Sequence, residues 1–144
     1  MATYLDASLV VSLYAIDANS HAAAATIALC SEPPILTTLC QVEVINAFSL
    51  LQFRAEITPA RANFAVESFE DDLRSGVYRV LALPELTFRQ AAMVSRKHTP
   101  RLGIRSMDLL HVAAALELKA ADFFSFDLQQ RQLAEAVGLR LNVL

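Results

Sequence analysis

The sequence predicts an α/β fold, a three-layer sandwich in which a parallel sheet of about five strands is flanked by helices. Three observations predict it. Short apolar runs alternate with longer helical stretches, Pro and Gly punctuate their boundaries, and acids stand where predicted strands end. In parallel sheets the active crevice lies beyond the carboxyl ends of the strands, so the third observation concerns function as well as fold.

Ala2 to Leu5 reads as a buried strand, and Ser8 to Tyr14 as a helix after the Asp6-Ala7-Ser8 turn. Asn19 or Ser20 can cap an Ala-rich helix that ends near Ser31, before the breaker Pro33-Pro34. Ile35 to Thr37 reads as a strand, and Thr38 starts a long helix to about Ala55. Thr58-Pro59 caps and opens a helix that runs to Ser75 and stops at Gly76. Tyr78 to Ala82 alternates as a third strand, and Pro84 or Glu85 to Lys97 is helical. Ser106 to Lys119 is apolar nearly all round, which predicts a central, buried helix. Asp122 to Phe126 is the fourth strand, Leu128 to Val137 a helix ended by Gly138, and Leu139 to Val143 the fifth strand.

The 144 residues fit one domain spanning 1–144. A hydrophobic share of 55% leaves apolar surface to spare, which predicts a self-association or partner face. The net charge is −3, but all the basic residues except Lys97 and Lys119 are Arg, a bidentate binder of phosphate. Arg96, Lys97, Arg101 and Arg105 lie in one basic stretch, read first as a solvated loop and second as a rim for nucleic acid. Cys30 and Cys40 lack metal or redox spacing and read as small core residues. His21, His98 and His111 show no zinc-type spacing. With no signal peptide and no apolar stretch of membrane-spanning length, the expectation is a soluble cytoplasmic protein.

Four acids sit in apolar segments: Asp6, Glu43, Asp108 and Asp127. A buried charge is costly unless paired or bound to a metal. Asp6, Asp108 and Asp127 each have an ordinary explanation as a turn or helix-start residue. Glu43 does not, because its helical neighbours Leu39, Cys40, Asn46 and Ala47 are uncharged. Together the four predict one acidic site for a hard divalent cation, Mg²⁺ or Mn²⁺, with Glu43 acting directly or through water. Ser8, Ser125 and Asn46 are candidates to orient the acids. His111 shares a helical face with Asp108, and a satisfied core histidine is the favoured reading of it. Glu67, Glu70, Asp71 and Asp72 read as a solvated face.

Tyr4-Leu5-Asp6-Ala7-Ser8, Thr38 with Glu43, Asp108-Leu109-Leu110-His111-Val112-Ala113, and Asp122 to Asp127 resemble the PIN-domain family over nearly the whole chain. The likeness extends to its VapC-type toxins; Ser125 stands where Thr is common in the family. The resemblance implies strand order 3-2-1-4-5 and assigns Asp6, Glu43, Asp108 and Asp127 to the acidic quartet. It also implies a metal-dependent endoribonuclease acting on tRNA, rRNA or mRNA, a homodimer, and a cognate VapB-type antitoxin. The alternatives are a non-catalytic PIN-fold binding module and a metal-dependent DNA nuclease. A dehalogenase-type phosphotransfer enzyme would want an acid where Ser8 stands.

Overall fold

A computed structural model describes residues 1–144. Its five-stranded sheet is parallel, in the order β3-β2-β1-β4-β5. The strands are β1 (Thr3–Leu5), β2 (Ile35–Thr37), β3 (Arg79–Leu81), β4 (Asp122–Phe124) and β5 (Arg140–Leu141). The helices are α1 (Ala7–Tyr14), α2 (Ser20–Ala28), α3 (Thr38–Phe53), α4 (Pro59–Ser75), α5 (Thr87–Leu102), α6 (Ser106–Glu117) and α7 (Leu128–Ala136). Fold class and strand order agree with the sequence expectation.

Strand alternation divides the core into two layers. Tyr4, Ile35 and Phe123 pack with Val94 of α5, Val112 of α6 and Leu133 of α7. Leu5 and Leu36 face the other way, towards Leu9 of α1, Ala23 of α2, Val44 and Phe48 of α3, and Phe69 of α4. Each such buried Leu or Phe contributes about 1.5–3 kcal/mol of transfer free energy. Helix α6 is central, with Val112 to Ala115 fully buried. Cys30 and Cys40 are free thiols, and burial pushes both up. No helix is long and apolar enough to cross a membrane.

The boundaries differ where side chains replace the expected backbone pairing. β4 stops at Phe124 rather than Phe126. Beyond it, the Ser125 amide donates to Asn142 Oδ1, the Phe126 amide to Ser8 Oγ and the Asp127 amide to Ser125 Oγ. β5 is correspondingly short. Helix α6 ends at Glu117, and Lys119 takes a left-handed φ of 56°. Helix α5 runs on to Leu102 instead of stopping near Lys97, so the basic stretch is mostly helix and not the expected loop. Pro100 falls in the last turn; it donates no bond to the Arg96 carbonyl, and the helix runs only two residues beyond it. Gly103, at φ 64°, closes the helix with its amide on Thr99 O, a conformation that favours glycine.

Candidate active site

Pairing of β1 with β4, Leu5 opposite Phe124, brings the residues after both strands together. Asp6 caps α1, and its Oδ2 accepts from the Ser8 amide at 3.0 Å and the Ser8 hydroxyl at 2.5 Å. Ser125 Oγ stands 3.1 Å from the same oxygen and 3.2 Å from Gln130 Oε1, so its single proton serves one of them at a time. Asp6 is nearly fully buried, and with Oδ2 so engaged its Oδ1 turns towards His111 Nε2, 4.0 Å away.

Glu43 comes from α3, whose start is fixed by Thr37 accepting from the Cys40 amide. Its Oε1 lies 2.6 Å from His111 Nε2. The other ring nitrogen, Nδ1, is 2.8 Å from the Tyr4 hydroxyl, which is 3.1 Å from Thr37 Oγ1. His111 is therefore fully buried with both nitrogens satisfied, and one of its partners is an acid of the site. Burial pulls its imidazole down. The Glu43 hydrogen bond and the charges of Asp6, Glu43 and Asp108 outweigh this and hold it above the ordinary value.

Asp108 lies in the first turn of α6, where a carboxylate meets the positive helix end. Its Oδ1 accepts from Gln130 Nε2 at 3.3 Å and its Oδ2 from Arg105 Nε at 3.2 Å. Burial raises the Asp108 carboxyl, Arg105 opposes this, and the nearby Asp127 and Asp6 add to the rise. Asp127 caps α7 through the Gln130 amide and has Oδ2 3.9 Å from Arg105 Nη2. The capping explanations of Asp6 and Asp127 thus hold alongside their places in an acidic cluster.

One ligand atom from each of Asp6, Glu43 and His111 lies within 4.8 Å of the others. Asp108 and Asp127 stand outside that tight group and join it through Gln130 and Ser125. The donor set fits a divalent cation: carboxylates brought close together are relieved of mutual repulsion by a shared positive charge. Of the sequence candidates, Ser8 and Ser125 touch Asp6, while Asn46 is exposed and bonds to none of these groups.

Among the basic candidates only Arg105 meets the acids. Arg96 and Arg101 are exposed on α5. Lys97 borders an open depression of about 570 Å³ with Leu116 and Val137, near the carboxyl ends of α6 and α7 and away from the acids at their amino ends. Sequence reasoning missed Tyr4 and Gln130. Tyr4 lies two residues before Asp6 on an extended segment, the spacing that shares a strand face. Gln130 is a buried glutamine one turn after Asp127, a signal visible only once burial is known.

The PIN domain family profile matches residues 3–136. The fold is similar to the crystal structure of Mycobacterium tuberculosis VapC20, a sarcin–ricin-loop-cleaving toxin, with TM-score 0.70 and 19% identity over 96% of each chain. No curated protein matches the sequence.

Proposed function

The chain belongs to the PIN-domain family, and on that premise we propose that it is a metal-dependent endoribonuclease, the toxin of a toxin–antitoxin pair. The observation that carries the reading is the tight group of Asp6, Glu43 and His111, with Asp108 and Asp127 tied to it through Gln130 and Ser125. Oxygen-rich donors of this kind select Mg²⁺ or Mn²⁺. A divalent ion held by these acids supplies Lewis acidity, which activates water and offsets charge on the scissile phosphate.

The chain's own residues hold that arrangement in register. Ser8 and Ser125 fix Asp6 so that Oδ1 is presented to the crevice. His111, locked by Tyr4, steadies Glu43, which is more exposed than Asp6 and would hold the ion directly or through water. Gln130 ties Asp108 to the start of α7 and thereby to Asp127. Water attacks phosphorus in line and the 3′-oxygen leaves, so no protein nucleophile is required.

RNA as substrate is supported by the fold likeness to a toxin that cleaves the sarcin–ricin loop, and by the exposed Arg105 beside the acids with Arg96, Lys97 and Arg101 exposed on α5. We assign a cytoplasmic location, a homodimer and a VapB-type antitoxin to the same reading. Exposed Val42, Ile45 and Phe53 on α3 support a partner-covered face.

The test incubates the protein and its Asp6→Asn variant with structured and unstructured RNA in Mg²⁺, Mn²⁺ or EDTA. Cleavage that needs metal and vanishes in the folded variant is expected. Absence of both cleavage and metal binding would favour the non-catalytic binding module.

A further inference from the structure

Arg105 is the one basic side chain in contact with the acids of the crevice, apart from His111. It occupies the extended residue that precedes α6, and its side chain caps nothing. Its Nε reaches Asp108 Oδ2 at 3.2 Å and its Nη2 approaches Asp127 Oδ2 at 3.9 Å, so one edge of the guanidinium spans both acids. Nη1 makes no hydrogen bond.

We propose that Arg105 is a built-in counter-cation that guards Asp108 and Asp127 until a divalent ion enters, and then turns to bind a phosphate of the RNA. This rests on the nuclease reading above and deepens it, by naming a residue that couples metal loading to substrate binding.

The geometry supports the exchange. Gln130 donates to Asp108 Oδ1 and Arg105 to Oδ2, so the guanidinium holds one of the two oxygens that an ion would use. A guanidinium and a divalent cation at one carboxylate oxygen repel, so each must weaken the other. The two partners also differ in solvation: the Arg105 side chain is 73% exposed and that of Asp108 is 13% exposed. The acid is therefore fixed, while the arginine is screened by solvent and free to leave. Displaced from the acids, its planar fork is suited to a phosphate on the rim of the same crevice.

The two halves of the proposal predict opposite signs for one substitution. Mn²⁺ binding to metal-free protein is measured by calorimetry for the wild type, Arg105→Ala and Arg105→Lys. RNA binding is measured with Asp6→Asn as the non-cleaving background, over a range of salt. Arg105→Ala is expected to bind Mn²⁺ several-fold more tightly and RNA several-fold more weakly, with a salt slope shallower by about 0.7 for the lost phosphate. Arg105→Lys is expected to fall between the two on both measures. An unchanged or weaker Mn²⁺ affinity in Arg105→Ala overturns the counter-cation role, and an unchanged RNA affinity and slope overturn the phosphate role. Either failure with a wild type that binds Mn²⁺ and cuts RNA leaves the nuclease reading standing. A wild type that binds no Mn²⁺ overturns both.

Discussion

His111 Nε2 and Glu43 Oε1 stand 2.6 Å apart although 68 residues separate them, and the imidazole between Glu43 and Tyr4 has no access to water. A charge-assisted bond in such a place fixes the rotamer of the more exposed partner, Glu43. It also makes the histidine's charge depend on the acids around it.

The first prediction concerns that charge in the metal-free protein. Burial lowers His111, but the Glu43 bond and the charges of Asp6, Glu43 and Asp108 raise it further, so its folded pKa exceeds its unfolded one. Its protonation then stabilises the fold fully below the unfolded value, and that contribution is lost as pH rises through the folded value. Glu43→Gln is expected to lower the midpoint of His111 in an NMR titration of its ring protons. A midpoint that stays in place would show that Glu43 is not what holds the proton.

Asp6 has two roles that substitution can separate. It caps α1 and it faces the crevice. Asparagine caps as well as aspartate, so Asp6→Asn should melt near the wild type in the absence of metal while losing cleavage. Asp6→Ala loses the cap too and should be less stable than Asp6→Asn by about 1 kcal/mol. Equal melting temperatures for the two variants would mean that the cap contributes nothing.

Ser125 is fully buried, and its hydroxyl meets Asp6, Ser8, Gln130 and the Asp127 amide. Ser125→Ala strands several of these groups at once and should cost about 1–3 kcal/mol of stability. Removing a group that orients acids at a metal site should also weaken metal affinity or activity by about 10–100-fold. Ser125→Thr keeps the hydroxyl and should restore activity. A Thr variant as impaired as the Ala variant would point to simple overpacking.

How much of this was legible in the chain depends on range. Alternating apolar runs indicated five strands between helices, the family resemblance supplied their order, and Asp6 and Asp127 at strand ends pointed to a crevice that the pairing of β1 with β4 makes possible. Thr58-Pro59 and Gly76 bounded α4 as local chemistry requires. Tertiary bonds were not legible. Nothing local to Ser125 says that Ser8 and Asn142 will take over the amides that would have extended β4. Nothing near His111 says that the helix carrying Glu43 will meet it. The basic stretch was misjudged for a different reason. Pro100 signals a break, and the helix does end soon after it, at Leu102, so the break falls at the close of the basic stretch and not at its start.

That longer α5 sharpens the last prediction. The helix carries Arg89, Arg96, Lys97 and Arg101 and no acid, in a chain whose net charge is −3. An acid-free helix retains positive potential where mixed charges would cancel, and on the nuclease reading we propose α5 as a track for a phosphate backbone. The track is uneven. Arg101 lies two residues before Gly103, close in sequence to the residues that lead into Asp108, whereas Lys97 borders the depression shared with Leu116 and Val137. In a non-cleaving background, Arg101→Gln should weaken RNA binding and flatten its dependence on salt by about 0.7 in slope, the value for one phosphate on a single strand. Lys97→Gln should change the slope least. Equal effects at the two positions would mean general attraction to the helix without a defined path, and no effect at either would remove α5 from the RNA-binding surface.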